Sequence, residues 1–370
     1  MAEKYFCSKP FSWFEVTGWG PPKGDVYLCC PTWLDTAVGN LQRQSVEEVW
    51  NGDQAQAIRQ SILDGSFSYC REARCPYLQA GTGPVMAASE VTDPKMRRVI
   101  DEKLTVLPWG PQEINCAFDK SCNLSCPTCR TERIIETDQA GPIRAIQKKL
   151  EREAVPRAKY LYITGSGDAF GSPYFNEWLR TMKIDAAPEL EHIHIHSNAQ
   201  LWTERMWEMI PPTVRSKIKS AEISVDAATA ETYAINRRLG SFERLEQNLS
   251  FIRTLRENGP LEKITISMVV QENNFLEMPK FVEFGKRYRI DIVYFSQLVN
   301  WGTFSDQEFA RRAVHLPGHK RHGEFLSVLE KNIFTDPCVF LGNLTDLRAP
   351  LAKSAQASPS MTDEALSRGP

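Results

Sequence analysis

The sequence lacks three features that would assign it to common classes of protein. No run approaches the roughly 20 consecutive apolar residues that a membrane-spanning helix needs, and residues 1–10 lack the long apolar core of a secretion signal. Nor does one charge dominate, because 44 Lys and Arg stand against 46 Asp and Glu, a formal net charge of -2. We therefore expect a cytoplasmic protein without a broad electrostatic surface for nucleic acid or an anionic membrane.

Cysteine, by contrast, is plentiful. Ten cysteines in a reducing compartment are not expected to form a disulfide framework, so their uneven clustering points to metal or redox chemistry. The 370 residues are enough for a catalytic domain and a smaller module. We predict a cysteine-rich domain at 1–80, a connector at 81–111, a core domain at 112–300, a cap at 301–348 and a disordered tail at 349–370.

Short apolar runs alternate with amphipathic stretches after Glu113 and predict six strands. The predicted strands are 114–118, 160–164, 192–196, 223–225, 264–270 and 292–295. Strands that alternate with helices form parallel units, in a barrel or an open sheet, so the fold class is α/β with its active face at the carboxyl ends of the strands. Nearer the N-terminus, a capping box of Ser45 and Glu48 predicts a helix that continues to Leu63 and ends at Gly65.

Three cysteines lie in one short loop after the first predicted strand. Cys122, Cys126 and Cys129 have the spacing Cys-x3-Cys-x2-Cys, which can bind three irons of a cubane cluster and leave the fourth iron open to another ligand. A zinc knuckle is the alternative, but structural zinc takes four ligands, and no fourth Cys or His follows at knuckle spacing. The loop therefore favours a catalytic iron-sulfur cluster.

This loop resembles the signature of the radical S-adenosylmethionine (SAM) superfamily, in which it follows the first strand of a partial (β/α)6 barrel. The resemblance implies that the open iron of a 4Fe-4S cluster chelates SAM and that a reductant of the flavodoxin or ferredoxin type supplies the electron that cleaves it. It further implies that the resulting 5′-deoxyadenosyl radical abstracts a hydrogen atom from the substrate.

Polar residues at the ends of the later strands resemble further positions of that family. Residues 164–168 are similar to its Gly-Gly-Glu motif, which implies that Asp168 receives the methionyl amine of SAM, and Arg237 resembles a residue that contacts the carboxylate. The cofactor contacts implied by the resemblance are Gly165, Ser166, Gly167, Asp168, His196, Ser197, Asn198, Ser224, Asp226, Arg237 and Gln271.

The third predicted strand alternates histidine and isoleucine. Side chains alternate across a strand, so His192, His194 and His196 share one face and the isoleucines should face the helices. Neighbours on one face of a strand lie roughly 7 Å apart and rarely share a metal ion. We therefore favour polar filling of the barrel over a histidine metal site.

A second cysteine set lies near the N-terminus and comprises Cys7, Cys29, Cys70 and Cys75. With its Gly-x4-Cys, Gly-Asn and Glu-x-x-Trp-Asn patterns, it resembles a SPASM or twitch domain, which implies an auxiliary 4Fe-4S cluster. That module usually follows the barrel, whereas here it precedes it. Cys30 is the alternative to Cys29, and a zinc-stabilised module is the alternative to the cluster.

The step after hydrogen abstraction decides the product. An auxiliary cluster that accepts an electron gives oxidation, whereas a thiol that returns a hydrogen atom gives epimerisation. Cys338 and Cys116 are the candidate catalytic thiols, and the alternative for Cys338 is a small buried hydrophobe.

The substrate is the least constrained part of the reading. Members of the resembled family modify ribosomal peptides, sulfatases, sugars or aminocyclitols. With six residues before Cys7 we expect no leader-binding domain, which favours a sugar-like small molecule over a peptide. A non-catalytic iron-sulfur electron carrier or a zinc-stabilised interaction protein is the alternative of another class.

Overall fold

The computed structural model describes residues 5–20 and 23–348, so the predicted disordered tail at 349–370 lies outside the described residues. The strands of this part are β1 (Tyr5–Cys7), β2 (Trp13–Thr17), β3 (Asp25–Tyr27), β4 (Gly39–Asn40), β5 (Val85–Ala87), β6 (Glu113–Ala117), β7 (Tyr160–Ile163), β8 (His192–Ser197), β9 (Ile218–Ser224), β10 (Lys263–Val270), β11 (Ile292–Gln297) and β12 (Val339–Phe340). Its helices are α1 (Lys9–Ser12), α2 (Val46–Trp50), α3 (Asp53–Leu63), α4 (Pro76–Ala80), α5 (Pro94–Glu102), α6 (Ala140–Glu153), α7 (Pro173–Thr181), α8 (Glu204–Glu208), α9 (Pro212–Arg215), α10 (Ala230–Asn236), α11 (Phe242–Asn258), α12 (Met278–Arg287), α13 (Asp306–Arg312) and α14 (His322–Leu329).

Ten of these strands form one sheet, in the order β12-β11-β10-β9-β8-β7-β6-β2-β3-β4. Every neighbouring pair from β6 to β12 is parallel, and helices connect the successive strands β6 to β11. Parallel neighbours need such crossover connections, which cover the sheet with helices. The predicted α/β fold with six core strands is confirmed.

The fourth core strand is longer than predicted and begins earlier. The sequence indicated only residues 223–225, whereas β9 covers Ile218–Ser224 and Val225 follows it. The prediction was wrong because Ser220, Glu222 and Ser224 alternate with apolar residues and interrupt the apolar run. Alternation of this kind marks a strand with one polar face, so the interior face of this sheet is partly polar.

The two faces of β8 carry different chemistry, as predicted. Ile193 and Ile195 are fully buried and belong to the apolar core between the sheet and its helices. Burial of each such side chain contributes about 1.5–3 kcal/mol to folding. The intervening histidines lie on the interior face, where His194 Nδ1 is 2.5 Å from the Ser220 hydroxyl and His196 Nε2 is 2.8 Å from the Ser224 hydroxyl.

The N-terminal region shares the main sheet with the core. Strand β2 pairs in parallel with β6, from Trp13 opposite Glu113 to Thr17 opposite Ala117. Strand β3 pairs antiparallel with β2, and β4 pairs antiparallel with β3. Strand β1 pairs with β5, which lies in the predicted connector at 81–111. The cysteine-rich region therefore supplies strands to the main sheet. The predicted boundary at residue 80 falls between β1 and β5, which pair with each other.

The predicted capping box is present but the helix it starts is short. The Ser45 hydroxyl accepts from the Glu48 amide at 3.2 Å, while the Glu48 carboxylate accepts from the Ser45 amide at 2.7 Å. The helix stops at Trp50 and α3 begins after Gly52, so two helices replace the single continuous helix that was predicted. The break lies at Gly52, whose backbone is extended, and the Asn51 side chain beside it bonds to the backbone of Leu107.

The predicted cap at 301–348 contains α13 and α14, then a short strand, and finally a 3-10 helix at Gly342–Leu347. Strand β12 pairs in parallel with β11, with Val339 opposite Val293, so the cap extends the main sheet at the edge farthest from β4. None of the helices in residues 5–20 and 23–348 combines the length and the apolar character needed to cross a membrane.

Candidate functional site

The three-cysteine loop lies at the carboxyl edge of the parallel sheet, directly after β6. Cys122 and Cys126 are buried, whereas Cys129 is exposed. The loop is fixed to the segment after α10, because the Ser125 amide donates to the Arg238 carbonyl and the Arg238 guanidinium donates to the Ser125 carbonyl at 2.7 Å. An otherwise irregular loop is thus held in one conformation.

Each of the three thiols receives a hydrogen bond from a side chain of a different segment. The donors are Asn198 Nδ2 to Cys122 Sγ at 3.6 Å, Arg237 Nη1 to Cys126 Sγ at 3.5 Å, and Arg130 Nη2 to Cys129 Sγ at 3.3 Å. Two of these donors are guanidinium groups, which carry a permanent positive charge. The loop therefore suits sulfur ligands that become thiolates when they bind iron.

Burial opposes ionisation of these cysteines in the absence of iron. It raises the pKa of Cys122 to about 12, with a further contribution from the neighbouring Asp168 charge. Burial also raises the pKa of Cys126, although the adjacent Arg237 acts in the opposite direction. Iron binding must therefore displace protons from both thiols, so loading of the site depends on pH.

The glycine-containing loop after β7 packs directly against the cysteine loop. A Cβ atom on Gly167 would lie 2.6 Å from the Ser121 carbonyl oxygen and 2.7 Å from that of Asp119. The Ser166 hydroxyl donates to the Ala117 carbonyl at 2.8 Å, and a Cβ on Gly165 would lie 2.9 Å from the Ala117 Cβ. The glycines are needed here because the two loops approach at backbone distance.

Asp168 is hydrogen-bonded within the protein. Its buried carboxylate accepts from the backbone amides of Asn198 at 2.6 Å, Gly171 at 2.7 Å and Phe170 at 3.0 Å, and from the Ser197 hydroxyl at 3.0 Å. Asp168 thus joins the loops after β7 and β8. Its contact with the SAM amine remains a prediction.

The residues predicted after β8 lie at the same edge of the sheet. Asn198 bonds both to Cys122 and, at 3.0 Å, to the Asn123 side-chain oxygen, so it reaches the cysteine loop directly. Ser197 is buried against Asp168, and His196 lies one step deeper, on the interior face. Their contacts with SAM remain predictions.

A buried ion pair lies behind the second cysteine. Arg237 Nη2 is 2.8 Å from Asp226 Oδ2, and the same guanidinium reaches Cys126. Asp226 follows β9, and its other oxygen accepts from the Val269 amide at 2.7 Å. The structure thus brings Arg237 to the cluster ligands, while its predicted contact with the SAM carboxylate remains a prediction.

The remaining two predicted cofactor contacts are farther apart. Ser224, at the end of β9, bonds to His196 within the barrel. Gln271 follows β10 and accepts a hydrogen bond from Arg312 of α13 at 3.3 Å, so it lies against the cap. Both lie toward the carboxyl edge of the sheet, where they were expected.

The four N-terminal cysteines meet at one cavity. Cys7, Cys29, Cys70 and Cys75 all line it, with Trp33 and Tyr77 among the apolar neighbours, whereas Cys30 does not. Lys9 also lines this cavity, a residue that the sequence analysis did not single out. The shared cavity agrees with the predicted set, and with Cys29 rather than Cys30 as its member.

The two cysteine sets supply the thiol donors that iron-sulfur clusters use. A cluster spreads its thiolate ligands over several irons. Three thiols with polar donors and four thiols around one cavity match the two clusters.

The structure does not bring either candidate catalytic thiol to the cysteine loop. Cys116 is fully buried on the outer face of β6, beside Ile163, in the apolar layer under the helices, and this burial raises its pKa. Cys338 precedes β12, and its carbonyl accepts from the Val293 amide near the amino end of β11. A catalytic role for either thiol remains a prediction.

The interior face of the sheet carries a polar layer that the sequence analysis missed. Glu15 of β2, Asn115 of β6, Tyr162 of β7 and His194 of β8 lie opposite one another in register. Glu15 accepts from the Trp13 indole at 3.2 Å, and burial raises its pKa to about 7. The alternation of polar and apolar residues in β2 was the signal that could have revealed this strand.

The comparisons with known proteins bear on the two cysteine sets. Residues 119–285 match the radical SAM superfamily model, and residues 7–76 match the model of the SPASM iron-sulfur cluster-binding domain. A search of curated proteins gave no match. The chain therefore contains a radical SAM domain. A SPASM domain precedes it, and the two domains imply a SAM-binding 4Fe-4S cluster and an auxiliary cluster.

Among solved structures, the chain is similar at low identity to TYW1, SuiB and anSMEcpe, among others. It is 19% identical to TYW1 with a lysine-pyruvate adduct bound, over 57% of this chain and 70% of that one, with a TM-score of 0.37. It is 14% identical to Streptococcus suis SuiB, over 70% of this chain and 54% of that one, with a TM-score of 0.38. It is 15% identical to anSMEcpe with bound AdoMet and the Kp18Cys peptide, over 60% of this chain and 59% of that one, with a TM-score of 0.41. The chain thus spans between 54% and 70% of these proteins.

Proposed function

We propose that this radical SAM enzyme oxidises a sugar-like or aminocyclitol-like small molecule. The observation that carries the proposal is the polar interior face of the sheet, which carries Glu15, Asn115, His194 and Glu222. Hydroxyl and amino groups need hydrogen-bond partners when they leave water, and carboxylate, amide and imidazole groups supply them. An apolar substrate would make no use of these donors and acceptors.

Oxidation is favoured over epimerisation by the positions of the thiols. All ten cysteines lie in the described residues, and seven of them belong to the two cluster sets. Of the other three, Cys116 faces the helices, Cys338 lies at the opposite edge of the sheet, and Cys30 is buried in the N-terminal region. No thiol outside the cluster sets is therefore positioned to return a hydrogen atom to a substrate in the barrel.

When bound, the first cluster with SAM would supply hydrogen-atom abstraction from a carbinol carbon, and the auxiliary cluster would supply an acceptor for the second electron. The residues of the chain do the positioning. We assign Cys122, Cys126 and Cys129 to the first cluster. The interior carboxylates and His196, which lies 3.8 Å from Glu222, orient the hydroxyl groups of the substrate. The hydroxyl proton passes to water as the carbonyl forms.

A peptide substrate is the second candidate, and a different observation favours it. Several large apolar residues are exposed in the segments that follow strands of the sheet, where the barrel opens: Trp19, Leu239, Leu276, Val299 and Trp301. Exposed apolar surface next to a site is typical of protein and peptide contacts. A small polar molecule would make no use of this rim.

The test is anaerobic reconstitution followed by an isotope screen. The protein should bind about eight irons, from two four-iron clusters, and release 5′-deoxyadenosine when dithionite and SAM are added. Perdeuterated sugars and aminocyclitols should transfer deuterium into 5′-deoxyadenosine, whereas peptides deuterated at their α and β carbons should not. Transfer from peptides alone would favour the second candidate. Bound iron without 5′-deoxyadenosine would indicate an electron carrier and refute both.

A further inference from the structure

Lys9 lies at the boundary between the auxiliary cysteines and the barrel. Helix α1 starts with this residue, two positions after Cys7, and the side chain is only 2% exposed. It lines the cavity that the four cysteines share, and its backbone amide donates to the Cys7 thiol. Burial raises the pKa of Cys7 to about 12, and the Lys9 charge partly opposes this rise.

On its other side, the same lysine contacts groups of the barrel interior. Its Nζ is 3.5 Å from Glu113 Oε2 and 4.1 Å from the centroid of the Trp13 ring. The Trp13 indole in turn donates to Glu15 at 3.2 Å. One buried cation thus connects the cysteine cavity to two carboxylates on the interior face of β2 and β6.

We propose that Lys9 is a positioning residue for the auxiliary cluster, whose buried charge raises the reduction potential of that cluster and whose pairing with Glu113 sets the size of the effect. The inference rests on the proposed function, because a raised potential suits a cluster that accepts an electron from substrate. Reduction adds one negative charge to the cluster, and a nearby positive charge in a medium of low dielectric constant stabilises that state. The carboxylate of Glu113, which pairs with Lys9, acts in the opposite direction.

Two substitutions with opposite predicted signs test this inference. Lys9→Met keeps the length of the side chain and removes its charge, so the auxiliary cluster should become harder to reduce. Glu113→Gln removes the opposing negative charge, so the cluster should become easier to reduce. At the midpoint potential of the unaltered protein, we expect the ratio of reduced to oxidised cluster to change by roughly tenfold in each direction. Lys9→Arg should stay close to the unaltered protein.

The measurement is a redox titration of the reconstituted protein, followed by electron paramagnetic resonance. Added SAM distinguishes the two clusters, because it perturbs only the signal of the first. Arg71→Gln is the matched control: this residue follows Cys70, but its side chain is 54% exposed and pairs with Asp35 at the surface. Water screens such a charge, so the potential should change little.

Each possible result of the redox titration either supports or overturns the inference about Lys9. A fall for Lys9→Met together with a rise for Glu113→Gln supports the inference, and it would stand even if no sugar were oxidised. If neither potential moves, or both move in the same direction, the inference is overturned, while 5′-deoxyadenosine release and eight irons would leave the proposed function intact. If Lys9→Met loses its auxiliary cluster, the rise for Glu113→Gln still decides. An unaltered protein that forms no auxiliary cluster would refute both proposals.

Discussion

The pH dependence of folding stability should change when Glu15 is replaced by glutamine. The Glu15 side chain is buried on the interior face of β2, and burial raises its pKa to about 7 from an ordinary value of 4.5, although Asn115, Trp13 and Lys9 favour the charged form. Between pH 4.5 and 7 the folded protein therefore binds more protons at this site than the unfolded chain does. The free energy of unfolding must then fall as the pH rises through this window.

A rise in pKa of this size corresponds to a loss of about 3 kcal/mol in the free energy of unfolding, complete above pH 7. Glu15→Gln keeps an acceptor for the Trp13 indole and removes the titration. Relative to the unaltered protein, the variant should therefore gain about 2–3 kcal/mol between pH 5 and pH 8. This gain is a large part of the typical stability of a domain, roughly 5–15 kcal/mol.

The assay is equilibrium unfolding of the metal-free, reduced protein in urea at pH 5, 6, 7 and 8, followed by circular dichroism and tryptophan fluorescence. Glu90→Gln is the control, because Glu90 is an exposed carboxylate. Its stability should follow that of the unaltered protein at every pH. If the curves of the unaltered protein and Glu15→Gln run parallel from pH 5 to pH 8, the carboxylate does not titrate in this window and the reasoning fails.

Three further outcomes follow from the two cysteine sites. Cys126→Ala should abolish 5′-deoxyadenosine release. Cys70→Ser should keep some release, while bound iron falls from about eight to about four atoms. Equal loss of release in both variants would assign Cys70 to folding. Gly167→Ala should lower the iron content of the first cluster, because its Cβ would lie 2.6 Å from a carbonyl oxygen of the cysteine loop. The control Gly141→Ala, whose Cβ would have nothing within 4 Å, should retain full iron. Equal iron content in both variants would contradict the required close approach. Cys338→Ser should leave cofactor cleavage and product formation unchanged, and loss of product alone would support this thiol as a candidate donor.

The features that could be predicted are those that depend only on residues close together in the sequence. The spacing of Cys122, Cys126 and Cys129 and the apolar runs of the core strands need no knowledge of distant contacts. The alternation in β8 likewise determined which side chains face the barrel, since side chains of a strand point to opposite faces in turn. These predictions agreed with the structure because each depends on a repeat of only a few residues.

The features that escaped prediction depend on pairing between distant segments. Nothing near Glu15 indicates that its strand lies beside β6, because register is determined by partners far along the chain. Cys338 was chosen as a thiol in the cap, but a parallel strand carries it to the far edge of the sheet. Asp168 matched a family position, yet its hydrogen bonding to four donors depends on how the loop after β8 folds back.

The pairing of β2 with β6 also has a consequence for how the chain is made. Its partners, such as Trp13 and Glu113, are separated by about one hundred residues, so a ribosome adding roughly 5–20 residues per second releases the second strand several seconds after the first. During that interval β2 has no parallel neighbour and its apolar face lacks the helix layer that will cover it. Maturation of the N-terminal module therefore has to wait for translation of the core, and cluster insertion into its four cysteines should be a late event.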